Sequence, residues 1–370
     1  MKTYRIFIIN PGSTSTKLSL FENETCLFTT DPFHDSSVLR QFPSINDQME
    51  YRMEVIRQFI AENHIDLRGV DAIVGRGGGC YSVPGGVYEI DDRLIEDTRA
   101  ARGGLYHSSM LGVQMADALH KEYGGRMLMM DPPVVDELCE LARVTGVKGI
   151  SRKAISHALN LKAAARRHAK TLGKRYEDCN FIVCHIDGGI SVTAHKQGKM
   201  IDGNDAGGGE GPFTPTRMGT MAVTDLNLYF RDRTPEEMKS LCSQTGGLSS
   251  HFGTSNSDTI HAMVEDGDPH AVRVWNAMIY QIAKYIGSMA VVLEGHVDAI
   301  VLTGGLLRFV DLVNGIRRRC EWIAPVALYP GEFEQEAMAA GALRVLRGEE
   351  TAKIYPGKPV WSGFDDEAGA

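Results

Sequence analysis

Two stretches about half a chain apart share one pattern. Residues 5–22, "RIFIINPGSTSTKLSLFE", put an apolar run, a Pro-Gly-Ser-Thr turn and a second apolar run in series. Residues 180–196, "NFIVCHIDGGISVTAHK", repeat the series around Asp187-Gly188-Gly189. Each reads as a hairpin of two strands around a tight turn. Independent hairpins have no reason to match, so the repeat implies an internal duplication with a domain boundary between the copies. Turns of Gly and hydroxyl residues also aim backbone N–H groups at one spot, which suits phosphate oxygens, although ordinary hairpin turns use the same residues. The spacing is not that of a P-loop, and the turn leads into a strand instead of a helix.

The remaining chain alternates strand and helix signals. "MEYRMEVIRQFIAEN", "SMLGVQMADALHKEYGG", "TPEEMKSLCSQ", "VRVWNAMIYQIAKYIGSMAVVL" and "EFEQEAMAAGALRVLRGEE" have helical apolar spacing. "SRKAISHALNLKAAARRHAKTL" is expected to be a helix capped by its serine. "VDAIVGRGGG", "RMLMMDPPVVDE" and "VDAIVLTGGLL" read as strands stopped by Gly or Pro. This alternation predicts an α/β fold in each half, and 370 residues, 43% of them hydrophobic, suffice for two cores.

The net charge of −8 comes from interspersed charges, which argues against nucleic acid as the main partner. No 18-residue apolar run or signal-type leader is present, so no membrane partner is expected and the cytoplasm is the default compartment. The seven cysteines show no metal-ligand spacing and are expected to be reduced thiols.

"FIINPGSTSTKLSLFE", "GRGGG", "ISRKAISHALN", "HIDGGISVTAHKQGKMIDGNDAGGGEGPFTPTRMG", "VLTGG" and "PGEFEQEAMAAGALRVLRGEE" together resemble the acetate/butyrate kinase family of the actin-like ATPase superfamily. Pro11, "GPFTPTR" and "GALRVLRGEE" sit closest to its butyrate kinase branch. The resemblance implies two duplicated ribonuclease-H-like α/β domains, residues 1–149 plus 335–370 and residues 150–334, with ATP and Mg²⁺ in an interdomain cleft. It implies reversible phosphoryl transfer between ATP and a short-chain carboxylate, butyrate or isobutyrate, giving an acyl phosphate and ADP. A homo-oligomer is also implied.

A carboxylate is already ionised and nucleophilic, so such a kinase needs no strong general base. Its difficulty is bringing two anions together, which arginines on loops relieve. Arg76, in "IVGRGGG", and Arg217, in "FTPTRMGT", are the candidates, matching the family's two arginines that flank the transferred phosphate. By the same resemblance Asp131 is a catalytic or magnesium-binding acid. Glu334 is the second magnesium-linked acid, with the register against Glu332 and Glu336 left open. Asn10, Gly12, Ser13, Ser15 and Lys17 form the first phosphate loop and Asp187, Gly188 and Gly189 the second. Gly207 and Gly208 are expected in a loop hugging the nucleotide, and Thr303, Gly304 and Gly305 at the adenine and ribose. His107 matches a cleft histidine, and Val83, Pro84 and Val87 are expected to line the acyl pocket. Acetate kinases carry a histidine where Lys153 falls, so Lys153 or His157 is left to take over its electrostatic task.

The rival readings are an acetate, propionate or branched-chain acid kinase, which one methylene of pocket separates poorly, a non-enzymatic nucleotide switch, and a sugar kinase or polyphosphatase. A sugar kinase needs an aspartate base for a hydroxyl acceptor, whereas two arginines suit an anion.

Overall fold

A computed structural model describes residues 2–364. The last six residues of the expected 335–370 segment lie outside the described residues. Two compact units emerge. One contains the described residues through Asp136 together with those from Phe333 onward, and the other is Glu137–Glu332.

The first unit holds six strands: β1 (Arg5–Pro11), β2 (Thr16–Glu22), β3 (Thr25–Thr30), β4 (Ala72–Gly75), β5 (Val87–Glu89) and β6 (Arg126–Met130). Their order is β3-β2-β1-β4-β6-β5. β1 and β2 form an antiparallel hairpin in which Asn10 stands opposite Lys17, and β1, β4 and β6 run parallel.

The second unit holds β7 (Asn180–Ile186), β8 (Ile190–Lys196), β9 (Lys199–Gly203), β10 (Ala299–Gly304) and β11 (Val326–Pro330), in the order β11-β10-β7-β8-β9. β7 and β8 form the second hairpin, with β10 parallel to both β7 and β11. Both sheets therefore place the hairpin, its third strand and two parallel strands in one order, and the duplication read from two turns extends to whole sheets. The fold is the two-sheet α/β architecture expected.

Packing follows strand alternation. Phe7 and Ile9 are fully buried in a cluster with Met115, Ala116 and Leu119 of the helix Leu111–Tyr123. That helix closes on β4 at a pair of glycines, since a Cβ on Gly75 would stand 2.3 Å from the Gly112 carbonyl oxygen. The helix Glu334–Leu346 packs on β1, β4, β5 and β6, so the C-terminal segment completes the first unit. In the second unit the long helix Pro269–Val292 buries Trp275, Met278, Ile279, Ile282 and Ile286 at helical spacing, started by Pro269 and by Asp268 accepting the Ala271 N–H. No helix among the described residues is long and apolar enough to cross a membrane.

The start of one expected helix moves. The helix after "SRKAIS" begins at Ala158, with His157 and not Ser151 before its first turn. Arg152 explains the shift: its guanidinium donates to Asp202, Glu210 and the carbonyls of Ala142 and Gly203. Those bonds hold the preceding segment extended against β9, and Ser151 bridges to Val144.

Candidate functional site

In the first unit the β1–β2 turn, the end of β4 and the start of the helix Glu334–Leu346 meet. Asn10 Nδ2 donates to Glu334 Oε2 at 2.7 Å, and Arg76 Nη2 lies 3.0 Å from Glu334 Oε1. Arg76 is only 6% exposed, and its Nη1 is buried with no partner. A buried guanidinium N–H without an acceptor is costly, and it is the kind of donor a bound anion satisfies. The backbone behind it is fixed, because a Cβ on Gly112 would stand 2.3 Å from the Arg76 carbonyl oxygen and 2.7 Å from its nitrogen. Lys17, half-buried, shares the sheet face of its cross-strand partner Asn10.

The turn itself is tied from behind. Gly12 N–H donates to the Ser15 carbonyl at 2.8 Å. Arg52, which sequence reasoning missed, donates to the carbonyls of Gly12 and Ser13, both at 2.9 Å. Ser13 and Thr14 are exposed. Beneath, the fully buried His34 ring meets Thr16 Oγ1 at 2.7 Å, and burial pushes its pKa down to about 4.

Other expected residues of this unit also make local backbone contacts. Asp131 sits at φ 36° and accepts the Gly86 N–H at 2.8 Å, so one carboxylate oxygen holds the chain entering β5. His107 is exposed, and its Nδ1 accepts the Ser109 N–H at the turn Ser108–Met110. The acyl-lining expectation needs correction. Val83 and Val87 are fully buried and present no accessible surface, whereas Pro84 is exposed, so the three form no common lining.

In the second unit the β7–β8 turn is held by the segment 214–217. Thr214 Oγ1 and Thr216 Oγ1 both donate to the Gly188 carbonyl, at 2.7 and 2.9 Å, and Thr214 Oγ1 accepts the Arg217 N–H. Arg217 Nη1 donates to the Ala206 carbonyl at 2.5 Å, while its Nε is buried and without a partner. Burial lowers the Arg217 pKa, with Asp205 opposing. A Cβ on Gly189 would stand 2.5 Å from the Arg217 Cζ, so the turn has a glycine where the guanidinium lies flat against it.

Asp187 joins this turn to the end of β10, accepting N–H from Gly188 at 2.8 Å and from Gly305 at 2.6 Å. Gly304, at φ 110°, lies so near Ile186 that a Cβ would be 2.3 Å from its carbonyl oxygen. Thr303 is fully buried, its hydroxyl donating to the Gly331 carbonyl. It therefore cannot touch a nucleotide as expected, and its role is to support the turn. Gly207 and Gly208 are exposed, and both of their N–H groups donate to Asp205, whose pKa burial raises.

His157 stacks on His185 with ring centroids 4.1 Å apart, and its Nδ1 lies 2.8 Å from Ser191 Oγ. Lys153 is exposed and lies near enough to Asp205 to favour its ionised form. His185, which the sequence reading quoted but did not single out, gathers with Asp187 and Glu332 so that one ligand atom of each falls within 4.8 Å of the others. The Thr303 hydroxyl is committed to Gly331, so the Asn160 amide donates to Thr303 and to His185 Nδ1 at 2.8 Å. The ring proton then sits on Nε2, leaving the oxygens of Asp187 and Glu332 as the atoms suited to a hard cation such as Mg²⁺.

Residues 142–314, inside the second unit, match the model of the acetokinase family. Over both units the chain is similar to three solved structures. These are an acetate kinase of Porphyromonas gingivalis (18% identity, TM-score 0.74, covering 93% of this chain and 100% of that one), a propionate kinase of Francisella tularensis subsp. tularensis SCHU S4 (17%, 0.69, 91% and 98%), and an acetate kinase of Entamoeba histolytica (16%, 0.73, 91% and 98%). At such identities the likeness shows a shared fold, over the first unit as well, which the family model does not reach.

Proposed function

We propose that the protein is a short-chain carboxylate kinase that transfers the γ-phosphoryl group of ATP directly to a carboxylate of about butyrate size, reversibly. A carboxylate oxygen attacks γ-phosphorus, the bond from γ-phosphorus to the β,γ-bridging oxygen breaks, and its electron pair leaves with ADP. No proton need be removed from the acceptor, so the reaction asks for cationic donors and not for a general base.

The observation that carries this reading is the pair of arginines, one in each unit. Each is tethered on one side, Arg76 by Glu334 and Arg217 by the Ala206 carbonyl, and each keeps a buried, unpartnered N–H. Both stand beside a glycine turn. Such groups cost stability in the free protein and are repaid by anions whose charge grows or shifts in the transition state. Glu334 acts here on Arg76, orienting it. Mg²⁺ would be held by Asp187 and Glu332, where it would supply neutralisation of charge on the nucleotide phosphates. His157, on the stack with His185, is better placed than the exposed Lys153 to support the β7–β8 turn.

Acetate or propionate as the substrate is the second reading, favoured by the names of the similar solved structures. The test is a kcat/KM panel of acetate, propionate, butyrate and isobutyrate with acyl phosphate trapped by hydroxylamine. Preference for a four-carbon acid supports the proposal and preference for a shorter acid selects the second reading. ATP turnover indifferent to every acid overturns both and favours a nucleotide switch. Light scattering of the same sample tests the implied homo-oligomer.

A further inference from the structure

The helix Met49–Glu62 puts Arg52 directly beneath the β1–β2 turn, where its side chain is 1% exposed. Its Nη1 donates to the carbonyls of Gly12 (2.9 Å) and Ser15 (3.3 Å) and reaches Thr16 Oγ1 at 3.5 Å. Its Nη2 donates to the Ser13 carbonyl at 2.9 Å, and its Nε to Gln48 Oε1 at 3.1 Å. Every partner is neutral. Burying a guanidinium without a carboxylate is unfavourable, and it departs from how proteins ordinarily place arginine. Burial lowers the Arg52 pKa to about 10, so the group is still cationic at neutral pH.

The bonds determine where the turn's amides point. A peptide unit is planar with its C=O and N–H opposed. With the Gly12 and Ser13 carbonyls turned in toward Arg52, the N–H groups of Ser13 and Thr14 turn the other way, and both residues are exposed. Two successive outward N–H groups form an anion-binding concavity, and here a full positive charge lies behind it.

We infer that Arg52 is a positioning residue for a phosphate-bearing ligand at the β1–β2 turn, aiming the Ser13 and Thr14 amides outward and supplying an uncompensated charge from behind. This rests on the kinase reading in taking the ligand to be a nucleotide phosphate.

Arg52→Met keeps most of the stem and removes charge and fork, while Arg52→Lys keeps the charge. Calorimetric titration with pyrophosphate and with ADP should show at least a tenfold weaker Kd for R52M, with R52K in between. KM for ATP should rise more than kcat falls, and the affinity lost should shrink as salt is added. A clamp that only stabilises the fold would lower the melting temperature and leave Kd and KM of the folded fraction unchanged, which overturns the inference. Because R52M could unfold, the wild-type chain provides a second readout: the Ser13 and Thr14 amide resonances should shift on adding pyrophosphate. Unshifted resonances at both positions overturn the inference. These binding readouts need no turnover, so a wild type inactive toward carboxylates would remove the kinase reading and leave this one standing.

Discussion

Replacing Gly189 with alanine should separate catalysis from stability. The added Cβ would stand 2.5 Å from the Arg217 Cζ and 2.6 Å from both terminal nitrogens, whereas carbon atoms in contact settle at about 3.5–4.0 Å. The guanidinium must therefore retreat by about 1 Å, giving up its bond to the Ala206 carbonyl. A misplacement of about 1 Å at a reacting centre costs on the order of 100-fold in rate, equivalent to about 2.7 kcal/mol of transition-state stabilisation. Gly189 is not in the left-handed backbone region, and the displaced group is the end of a flexible side chain. Fold stability should accordingly fall by no more than about 1 kcal/mol. The assay is steady-state acyl hydroxamate formation beside a thermal melt. A G189A protein with wild-type kcat would refute the placement of Arg217 at the chemistry, and one that simply melts early would refute the division between catalysis and folding.

Three further outcomes follow from the same geometry. Glu334→Gln leaves an acceptor for Asn10 but removes the charge that holds Arg76, so kcat should drop about 10–100-fold with a smaller change in KM for ATP; unchanged kinetics would separate Glu334 from the site. Gly112→Ala forces backbone apart at Arg76 and should cost about 1–3 kcal/mol in urea unfolding, together with activity, whereas a neutral result would show that the helix can shift freely. His34 favours its neutral form when folded, with a pKa of about 4 against the ordinary 6.5. Its contribution is complete above pH 6.5 and is lost as pH falls toward 4, a decline of about 3 kcal/mol that urea midpoints would record and that His34→Gln should flatten.

Much of the architecture was legible because it rests on local signals. Both hairpins, the helices after Met49, Leu111, Pro269 and Glu334, and the strands ending at Gly75 and Gly304 follow from period and from Gly or Pro punctuation. The helix start at Ala158 was not legible, because Arg152 holds the preceding residues through partners 10 to 58 positions away. Arg76 and Arg217 stood out because each follows a strand or Gly/Pro stretch in a loop. Arg52, Thr214 and Thr216 did not, since on a helix or in a turn they look like ordinary residues until the carbonyls they face are known. Val83, Val87 and Thr303 misled for the opposite reason, as being near a motif in sequence says nothing about exposure. Glu332 and Glu334 are two residues apart yet belong to different units, one gathered with His185 and Asp187 and the other paired with Arg76.

The central claim, direct phosphoryl transfer to a carboxylate, has one direct measurement. Butyrate labelled with ¹⁸O in both carboxylate oxygens is incubated with ATP and Mg²⁺, and the acyl phosphate is cleaved with hydroxylamine, which attacks carbon and releases the bridging oxygen with phosphate. The account predicts phosphate carrying one ¹⁸O for each hydroxamate formed. Phosphate released without ¹⁸O, at a rate indifferent to butyrate and to the shorter acids, would contradict it.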